Sequence, residues 1–579
     1  MRPLSLFLVF VTAKLLVLVG RDVHASPWTP LAYFWQDALV AFAFAGFDWL
    51  LRRRPWAAWG LYALAAGYAA LNVPLGCLLS TPLTWPLLRA TTGTIADSIG
   101  HHVSAANLLR VGAVLAAAAL LPPLLRRALT RTSPRRRLVL CAAAVAVLPL
   151  GPMAASRVAT NGLHRNALAA LVTSALPRVL AADVAGDWSV SPLGGTPGED
   201  LARLRGRAAG RNVVVVHLES TGARYLKPYG AAEDPMPHLT ALSRRALLFE
   251  NAYTTYPETI RSFFATQCAV FPALDTRAED YEAAHAPALA GLLAGHGYRT
   301  GLFHSGRFRY LGMEEALRNR GYATREDAGD IGGRRESSFG IDEGSAVRRM
   351  LAWIDERPGE PFLLTYLPIA GHHPYDAPGP GPFPDEAEID RYRNALHYAD
   401  DSLADLLRGL RERGLEDRTL FVICGDHGEA FGQHEGNYGH TLFLYEENVR
   451  VPLLLAAPGV IEEPVRVGRV AGLADLAPTV LDLLGLPAPD EYQGRSLLSG
   501  EPRMALFCTD YSLGLLGLRD GRWKMIHELD SGRSQLFDVE TDPDEKCDLS
   551  ASMAERTAVY REHLLRWAAA QKYRVTRKR

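Results

Sequence analysis

The sequence predicts a two-part fold, a bundle of apolar helices followed by an α/β domain around a largely parallel sheet. Charge separates the two parts, because residues 1–160 contain 15 Lys and Arg against four acidic residues, whereas the remainder contains 47 against 59. Long apolar runs concentrate in the first part. From Asn212 onward, short apolar runs alternate with helical patterns, which is typical of α/β domains. The near-neutral total charge excludes a nucleic-acid binder that relies on bulk charge.

The N-terminal part is predicted to be a transmembrane domain, because it contains five apolar runs of about the 17–25 residues that a membrane-spanning helix needs. The runs cover residues 4–20, 31–50, 57–79, 106–125 and 137–156. Arg52, Arg53 and Arg54 follow the second run, and six more arginines lie between the fourth and fifth, so both loops are expected in the cytoplasm. This orientation predicts a multi-pass protein of the cell (inner or cytoplasmic) membrane whose acidic part is extracytoplasmic.

Two features of this region allow a second interpretation. Met1–Ala25 also fits a cleavable signal peptide, because Arg2 precedes an apolar stretch that ends in Val23-His24-Ala25. Cleavage would leave four spans in the same orientation. Lys14, inside the first run, is interpreted as a snorkelling residue, although a charge within a membrane can also mark function.

The six cysteines include no CxxC pair, so a zinc-ribbon or redox function has no support. In an oxidising compartment Cys508 and Cys547 could form a disulfide. Free buried thiols are an equally good interpretation.

Four candidate strands of the acidic part lead to polar or ionisable residues at their carboxyl ends. These are Val213–Val216 with Glu219, Thr300–Phe303 with His304, Phe362–Leu367 with His372 and His373, and Leu420–Cys424 with Asp426 and His427. Ligands bind beyond the carboxyl ends of strands in open α/β sheets. We therefore expect these side chains to converge on one site.

Glu219, Asp426 and His427 are suitable ligands for one divalent metal ion and would leave an open position for a nucleophile or substrate. The alternative is a surface Asp-His turn and a capping Glu. Mn²⁺ or Zn²⁺ is favoured over Mg²⁺ or Ca²⁺ because one ligand is an imidazole.

Thr259 is the predicted nucleophile. Pro257, together with apolar residues at helical spacing after it, puts Thr259 in the first turn of a helix. Free N–H groups and the helix dipole there favour a developing alkoxide and an anionic phosphate, and a metal ion would lower the pKa of the hydroxyl. Thr255 and Ser262 are competing nucleophiles, and a simple helix-terminal hydroxyl is the alternative role for Thr259.

Several other residues are candidates for binding the substrate or donating a proton, although each could be purely structural. The histidines are His304, His372, His373, His434 and His440, of which His372 and His440 rank highest. Arg261 could neutralise a phosphate group, or it could pair only with Glu258.

At this point the sequence resembles the sulfatase branch of the alkaline phosphatase superfamily. The segments that carry the resemblance are Asn212–Ser220, Asn251–Thr254, Gly425–Glu429 and Leu444–Pro452. Leu536–Pro543 resembles the C-terminal subdomain of sulfatases, which implies a small antiparallel sheet with a helix. The resemblance covers roughly residues 211–550.

Within that superfamily, the apolar N-terminus is similar to that of lipoteichoic acid synthases and phosphoethanolamine transferases. Sulfatases carry a Cys or Ser in a C-x-P-S-R setting and a paired Asp-Asp after the first strand, where this chain has Thr259 and Glu219-Ser220. The resemblance implies that Glu219, Thr259, Asp426 and His427 form a one-metal site, and that His304 and His372 bind the transferred head group. The tail after Arg503 departs from the synthases and is more like soluble sulfatases.

These patterns predict four segments, namely a transmembrane domain (1–157), a juxtamembrane helix and linker (158–210), a catalytic domain (211–500) and a C-terminal subdomain and tail (501–579). The expected function is metal-dependent transfer of phosphoethanolamine or phosphoglycerol from a membrane phospholipid to a glycan or lipid acceptor, through a phospho-threonine. Hydrolysis of sulfate or phosphate esters is the alternative, and a membrane sensor with a degenerate enzyme domain is a third. No nucleic-acid partner is expected, and the oligomeric state stays open.

Overall fold

The computed structural model describes the chain except for residues 24, 91–103, 130–132, 134–145, 196, 283–285, 311, 337–338 and 578–579. The strands are β1 (Asn212–Leu218), β2 (Leu247–Tyr253), β3 (Arg299–His304), β4 (Thr324–Glu326), β5 (Phe362–Leu367), β6 (Thr419–Gly425), β7 (Ala430–Phe431), β8 (Tyr438–Gly439), β9 (Arg450–Val451), β10 (Leu453–Ala456), β11 (Val465–Gly472), β12 (Met504–Thr509), β13 (Leu515–Asp520), β14 (Trp523–Glu528) and β15 (Ser534–Asp538). The α-helices are Arg2–Leu18, Thr29–Leu50, Pro55–Leu79, Trp85–Ala90, Ala105–Leu129, Gly151–Arg157, Ala167–Thr173, Pro237–Ser243, Thr259–Cys268, Ala278–Glu282, Leu289–Gly295, Met313–Leu317, Ala328–Ile331, Glu343–Asp355, Glu388–Glu412, Glu446–Val449, Leu476–Leu484 and Ala554–Thr576.

The main domain is built on a nine-stranded mixed sheet in the order β11-β2-β10-β6-β1-β5-β3-β4, with β9 beside β2. The central strands β6, β1, β5 and β3 run parallel to one another, whereas β10 is antiparallel to its two neighbours, β2 and β6. Strands β1, β5 and β6 are buried along their whole length, as expected for parallel strands that helices cover on both faces. The prediction of an α/β domain is confirmed.

A second, smaller sheet follows near the C-terminus. Its four strands are antiparallel in the order β12-β13-β14-β15, and the long helix Ala554–Thr576 packs on it through Tyr560 and Trp567. This agrees with the small antiparallel sheet and helix that the resemblance implies.

The N-terminal region is helical, but the prediction of five membrane spans is wrong for the residues that the structure describes. Two helices there, Pro55–Leu79 and the segment Ala105–Ala128, are long and apolar enough to cross a membrane. Helix Arg2–Leu18, with 17 residues, is at the lower limit for a span, and helix Thr29–Leu50 contains two aspartates and a glutamine. The first part of the fifth apolar run, residues 137–145, lies outside the described residues. The two long apolar helices indicate membrane anchoring.

The interpretation of Lys14 as a snorkelling residue is also wrong. Its ammonium group is buried and lies 2.5 Å from Oδ2 of Asp37 in the next helix. Lys14 Nζ also donates to the carbonyl oxygens of Tyr33 (2.6 Å) and His164 (3.0 Å). The ammonium group of Lys14 therefore connects two helices to the turn that contains His164 and does not reach solvent. A buried cation is stable only when it is paired and hydrogen-bonded in this way.

The juxtamembrane segment is packed against the rest of the protein. Val179 and Trp188 belong to the hydrophobic core of the C-terminal subdomain, and Leu201 and Leu204 belong to that of the main domain. Within the described part of the chain, Cys508 is a buried free thiol, and Cys547 is an exposed one, so the two form no disulfide here.

Candidate active site

The four strands that lead to polar residues are neighbours in the sheet, in the order β6-β1-β5-β3. Leu218 at the end of β1 lies opposite Gly425 at the end of β6, and His304 on β3 lies opposite Leu367 on β5. The residues that follow therefore emerge at one edge of the sheet. Asp426 is fixed there by its backbone N–H, which donates to the carbonyl oxygen of Leu218 at 3.1 Å.

Glu219, Asp426 and His427 form a buried cluster whose potential ligand atoms all lie within 4.8 Å of one another. Nε2 of His427 is 3.7 Å from Oε1 of Glu219 and 3.4 Å from Oδ2 of Asp426. Oδ2 of Asp426 is buried and accepts no hydrogen bond from the residues that the structure describes. Two carboxylates and an imidazole that converge without a compensating cation fit one divalent metal ion.

The electrostatics of His427 suit it to bind a metal ion. Its Nδ1 lies 3.1 Å from the carbonyl oxygen of Gly428, so the ring donates there and keeps a lone pair on Nε2, which faces the carboxylates. Burial, with His440 nearby, lowers the pKa of His427 to about 4, which keeps the ring neutral. Burial raises the pKa of Asp426 to about 7, which reflects the free-energy cost of keeping this carboxylate charged in the protein interior.

Thr259 lies at this cluster and is the first residue of its helix, as the sequence pattern predicts. Its hydroxyl donates to Oε2 of Glu219 at 3.2 Å and lies 3.4 Å from Nε2 of His427. Glu258 is the N-cap, and its carboxylate accepts from the backbone N–H of Arg261 at 3.4 Å. Thr259 is partly exposed, so its hydroxyl is accessible to a substrate.

The two competing hydroxyls are less suitably placed. Ser262 is fully buried, and its hydroxyl donates to the carbonyl oxygen of Asp426 at 2.7 Å. Thr255 is 1% exposed, and its hydroxyl has no hydrogen-bond partner within the described part of the protein. Both residues are buried, whereas Thr259 is partly exposed and contacts the cluster.

His440 adds a positive charge beside the cluster. Its ring stacks on that of His427 with centroids 4.1 Å apart, and its Nδ1 lies 2.7 Å from Oε2 of Glu429. Burial opposes a charge on His440, but the Glu429 carboxylate outweighs it and raises the pKa of His440 to about 9. Glu429 is held in turn by the hydroxyl of Tyr375 at 2.5 Å. His427, Glu429 and His440 also form a second set of potential metal ligands, which shares His427 with the first.

His304 and His372 also lie near the cluster. Nδ1 of His304 lies 2.8 Å from the carbonyl oxygen of Leu367, and Nδ1 of His372 lies 2.6 Å from that of His373, which leaves each Nε2 for another partner. Burial lowers the pKa of His304. The rings of His372 and His440 are 6.3 Å apart. Gly371 brings this loop so close to Glu219 that a Cβ there would lie 2.0 Å from the Glu219 carbonyl oxygen.

Arg261 is buried and turned towards the protein. Its guanidinium lies 3.8 Å from both Glu258 and Asp510, donates to the carbonyl oxygen of Thr276 at 2.7 Å and stacks over Tyr256. These contacts favour the pairing alternative for Arg261 over direct binding of a phosphate.

The remaining histidines lie apart from the cluster. His434 is 2.7 Å from Glu447 and stacks on Tyr445, which is a structural arrangement. His373 is half-exposed and lies 3.8 Å from Glu388. Sequence reasoning named Glu429 only as part of a motif and did not single out Tyr375. The signal for Glu429 was its place two residues after His427, but its partner His440 is 11 residues away and becomes its neighbour only through the β7–β8 hairpin.

Comparison with known proteins identifies the family of the main domain. The family model described as Sulfatase matches residues 211–486. Arylsulfatase K of Bos taurus is 24% identical over 464 residues, which cover 65% of this chain and 85% of the relative. The lipoteichoic acid synthase-like protein YvgJ of Bacillus subtilis (strain 168) is 24% identical over 315 residues, which cover 51% of this chain and 51% of the relative.

Solved structures share the fold. A protein of the alkaline phosphatase superfamily from Vibrio parahaemolyticus has a TM-score of 0.54 at 18% identity and covers 69% of this chain and 94% of its own. The lipoteichoic acid synthase LtaP from Listeria monocytogenes has a TM-score of 0.50 at 20% identity, with 66% and 94% covered. Residues 211–486 therefore form a sulfatase-family domain, and the protein is a sulfatase-family enzyme.

Proposed function

We propose that the protein is a membrane-anchored, metal-dependent phosphotransferase with Thr259 as its nucleophile. It moves phosphoethanolamine or phosphoglycerol from a phospholipid to a glycan or lipid acceptor outside the cytoplasm. The observation that carries the proposal is the partly exposed Thr259 hydroxyl, 3.2 Å from Glu219 and 3.4 Å from His427. The apolar N-terminal helices support it, because they would hold the site near a lipid donor.

In the first half-reaction, Thr259 loses its hydroxyl proton to solvent, its Oγ1 forms a bond to phosphorus, and the bond from phosphorus to the glycerol oxygen of the donor breaks. The leaving alcohol needs a proton, and His440, which Glu429 keeps charged, is suitable to donate it. His304 and His372, whose Nε2 atoms are not used by the backbone, are suitable to bind the head group.

In the second half-reaction, an acceptor hydroxyl gives its proton to the now neutral His440, its oxygen forms a bond to phosphorus, and the bond to Oγ1 of Thr259 breaks. Thr259 regains a proton, so the chain ends unchanged. Splitting one displacement into two in this way is the logic of covalent catalysis.

Glu219, Asp426, His427 and Thr259 would hold the metal ion. When bound, such an ion supplies charge stabilisation for a deprotonated hydroxyl and for phosphate oxygens. The hydrogen bond from His427 Nδ1 to Gly428 and the backbone N–H groups that bind Oδ1 of Asp426 keep these ligands oriented.

A sulfatase-like hydrolase is the second candidate. The similarity to arylsulfatase K extends over 65% of the chain, and the C-terminal sheet follows the sulfatase pattern. In that case water would accept the group from Thr259, and a small soluble ester would turn over continuously instead of stopping after one stoichiometric burst.

Mass spectrometry of the purified full-length protein tests the proposal. The protein is incubated with mixed phospholipids and Mn²⁺ or Zn²⁺, and the Pro257–Phe264 peptide is analysed. We expect a phosphoethanolamine or phosphoglycerol adduct on Thr259, loss of the adduct in Thr259→Ala, and its retention in the control Thr255→Val. An unmodified peptide together with metal binding and steady ester turnover would replace the transferase by the hydrolase.

A further inference from the structure

The turn between β12 and β13 places Asp510 of the C-terminal subdomain next to the segment that carries Thr259. Asp510 is 3% exposed. Its Oδ1 accepts a hydrogen bond from the hydroxyl of Tyr256 at 2.6 Å and lies 3.8 Å from the guanidinium of Arg261. Its Oδ2 accepts from the backbone N–H of Asp275 at 2.5 Å. One carboxylate therefore contacts residues before and after Thr259 in the sequence.

These contacts fix the start of the helix Thr259–Cys268. Tyr256 is fully buried, and its hydroxyl also accepts from the backbone N–H of Asp510 at 3.1 Å, so the two residues bond reciprocally. The guanidinium of Arg261 is stacked 4.4 Å above the Tyr256 ring. Tyr256, Arg261 and Asp510 consequently form one packed unit, and Thr259 lies between the two members that belong to its own segment.

The same turn is held from the opposite side by the membrane-proximal part of the chain. Arg165 donates to the carbonyl oxygen of Ser512 and to its hydroxyl, both at 2.7 Å, and also to Thr81 at 2.7 Å. The hydroxyl of Thr84 donates to the carbonyl oxygen of Tyr511. The turn is thus immobilised between the N-terminal region and the helix of Thr259.

We propose that Asp510 is a positioning residue for Thr259, which rests on the proposed role of Thr259 as nucleophile. Asp510 touches none of the proposed reacting atoms, and it acts through Tyr256 and Arg261 on the first turn of the helix. The attack geometry of a nucleophile is sensitive to displacements of about 1 Å, which can cost on the order of 10²-fold in rate. Loss of the carboxylate should therefore slow the attack without weakening donor binding.

The test is a double-mutant cycle on the full-length protein. Asp510→Asn, Tyr256→Phe and the double variant are compared with the wild type in single-turnover formation of the Thr259 adduct, with phosphatidylethanolamine or phosphatidylglycerol in micelles as the donor. We expect each single variant to lower the maximal rate about tenfold, with the half-saturating donor content unchanged, and the double variant to be no slower than the slower single variant.

Asp520 and Tyr560 provide the matched control. They form the same 2.6 Å carboxylate–tyrosine hydrogen bond in the same subdomain, between β13 and the helix Ala554–Thr576. Asp520→Asn and Tyr560→Phe should leave the rate of adduct formation unchanged. Thermal unfolding and metal content are measured for all variants, so that a poorly folded Asp510→Asn is recognised and Tyr256→Phe then decides the question.

Two results would overturn the inference. One is an unchanged maximal rate in Tyr256→Phe and Asp510→Asn, and the other is an equal loss of rate in the control pair. If the wild type itself forms no Thr259 adduct, the proposed function fails, and the inference fails with it. A wild-type adduct with unaffected variants removes the inference alone.

Discussion

Two buried clusters of acidic residues in this protein solve the problem of their charge in different ways. At the interface between the main domain and the C-terminal sheet, Lys524 Nζ lies 3.1 Å from Glu446 and 2.9 Å from Glu545, and all three side chains are buried. At the sheet edge, Glu219 and Asp426 contact a neutral imidazole and a hydroxyl, and the charged ring of His440 beside them is paired with Glu429. In the first cluster the counter-charge is a lysine side chain of the protein itself. In the second cluster it would be a metal ion that can bind and dissociate.

The Lys524 cluster serves stability, whereas the cluster of Glu219 and Asp426 serves function. Burial opposes a charge on Glu446, but Lys524 outweighs it and lowers the pKa of Glu446, whereas burial raises the pKa of Glu545 to about 7, so Lys524 fully compensates only one carboxylate of this cluster. Burial raises the pKa of Asp426 to about 7, so the other cluster is under electrostatic strain until a cation arrives. A fixed lysine would occupy the position that a metal ion and a phosphate need.

The largest effect is expected for Asp426→Asn. The variant loses a carboxylate ligand, so activity should fall by about 10³-fold, and metal content measured by mass spectrometry should fall with it. In the presence of EDTA its thermal midpoint should equal or exceed that of the wild type, because the substitution removes an uncompensated buried charge.

Asp400→Asn is the matched control for that variant. Asp400 is equally buried, and its carboxylate accepts from the backbone N–H groups of His238 and Leu239 at 2.6 and 2.9 Å. Its replacement should leave metal content unchanged. Normal metal content and activity in Asp426→Asn would contradict the assignment of the metal site.

Lys524→Met tests the cluster that contains the lysine. It removes the cation shared by two buried carboxylates and leaves Glu446 with Arg450 at 4.0 Å, so unfolding should become easier by about 3–5 kcal/mol, as measured by thermal or denaturant unfolding. Arg466→Met, which breaks the exposed ion pair with Glu250, should cost less than about 1 kcal/mol. A small loss of stability in Lys524→Met would contradict the proposed difference between a cluster that a lysine stabilises and one that awaits a metal ion.

Chelation should distinguish the clusters directly. Metal bound to the folded state alone adds about 2.7 kcal/mol at a hundredfold excess over its dissociation constant, so EDTA should lower the thermal midpoint of the wild type. The Asp426→Asn protein should not respond to EDTA. An equal response of both proteins would place the stabilising ion elsewhere.

Glu343 is a third buried carboxylate, and it is stabilised by hydrogen bonds and not by a lysine or a metal ion. Burial raises its pKa to about 7, against hydrogen bonds from Tyr366, Ser305 and two backbone N–H groups. A raised carboxyl pKa means that the folded state keeps a proton that the unfolded state releases. The contribution of Glu343 to the free energy of unfolding is complete below about pH 4.5 and is lost as the pH rises through about 7.

Glu343→Gln should therefore flatten the dependence of stability on pH between about 5 and 8, by an amount on the order of 2 kcal/mol. Unfolding curves of the wild type and the variant across this range provide the measurement. Parallel pH profiles would mean that Glu343 titrates at its ordinary pKa.

Much of the sheet and its functional edge could be predicted from local patterns. Val213–Val216 and Phe362–Leu367 can be recognised as strands because buried parallel strands appear in a sequence as continuous apolar runs. The residues after them can be expected to converge because parallel strands share one carboxyl edge. Thr259 could be placed in the first helical turn because Pro257 marks a helix start.

Features that depend on long-range partners could not be predicted. Lys14 is interpretable as a snorkelling residue until Asp37, in another helix, is known to face it. Arg261 has a carboxylate three residues before it in sequence, yet Asp510, some 250 residues away, decides how it packs. The count of membrane spans failed because apolar composition does not distinguish a bilayer-facing helix from one that packs on polar partners.

The ion pair between Arg21 and Glu435 has a kinetic consequence. Arg21 follows the first helix, and Glu435 lies 3.2 Å away in the β7–β8 loop, which leads directly to His440. This contact connects the loop that leads to His440 with the end of the first apolar helix. Reaction velocity should consequently follow the mole fraction of donor within the surface, and diluting that surface with inert lipid should slow the enzyme while the total donor in the sample stays the same.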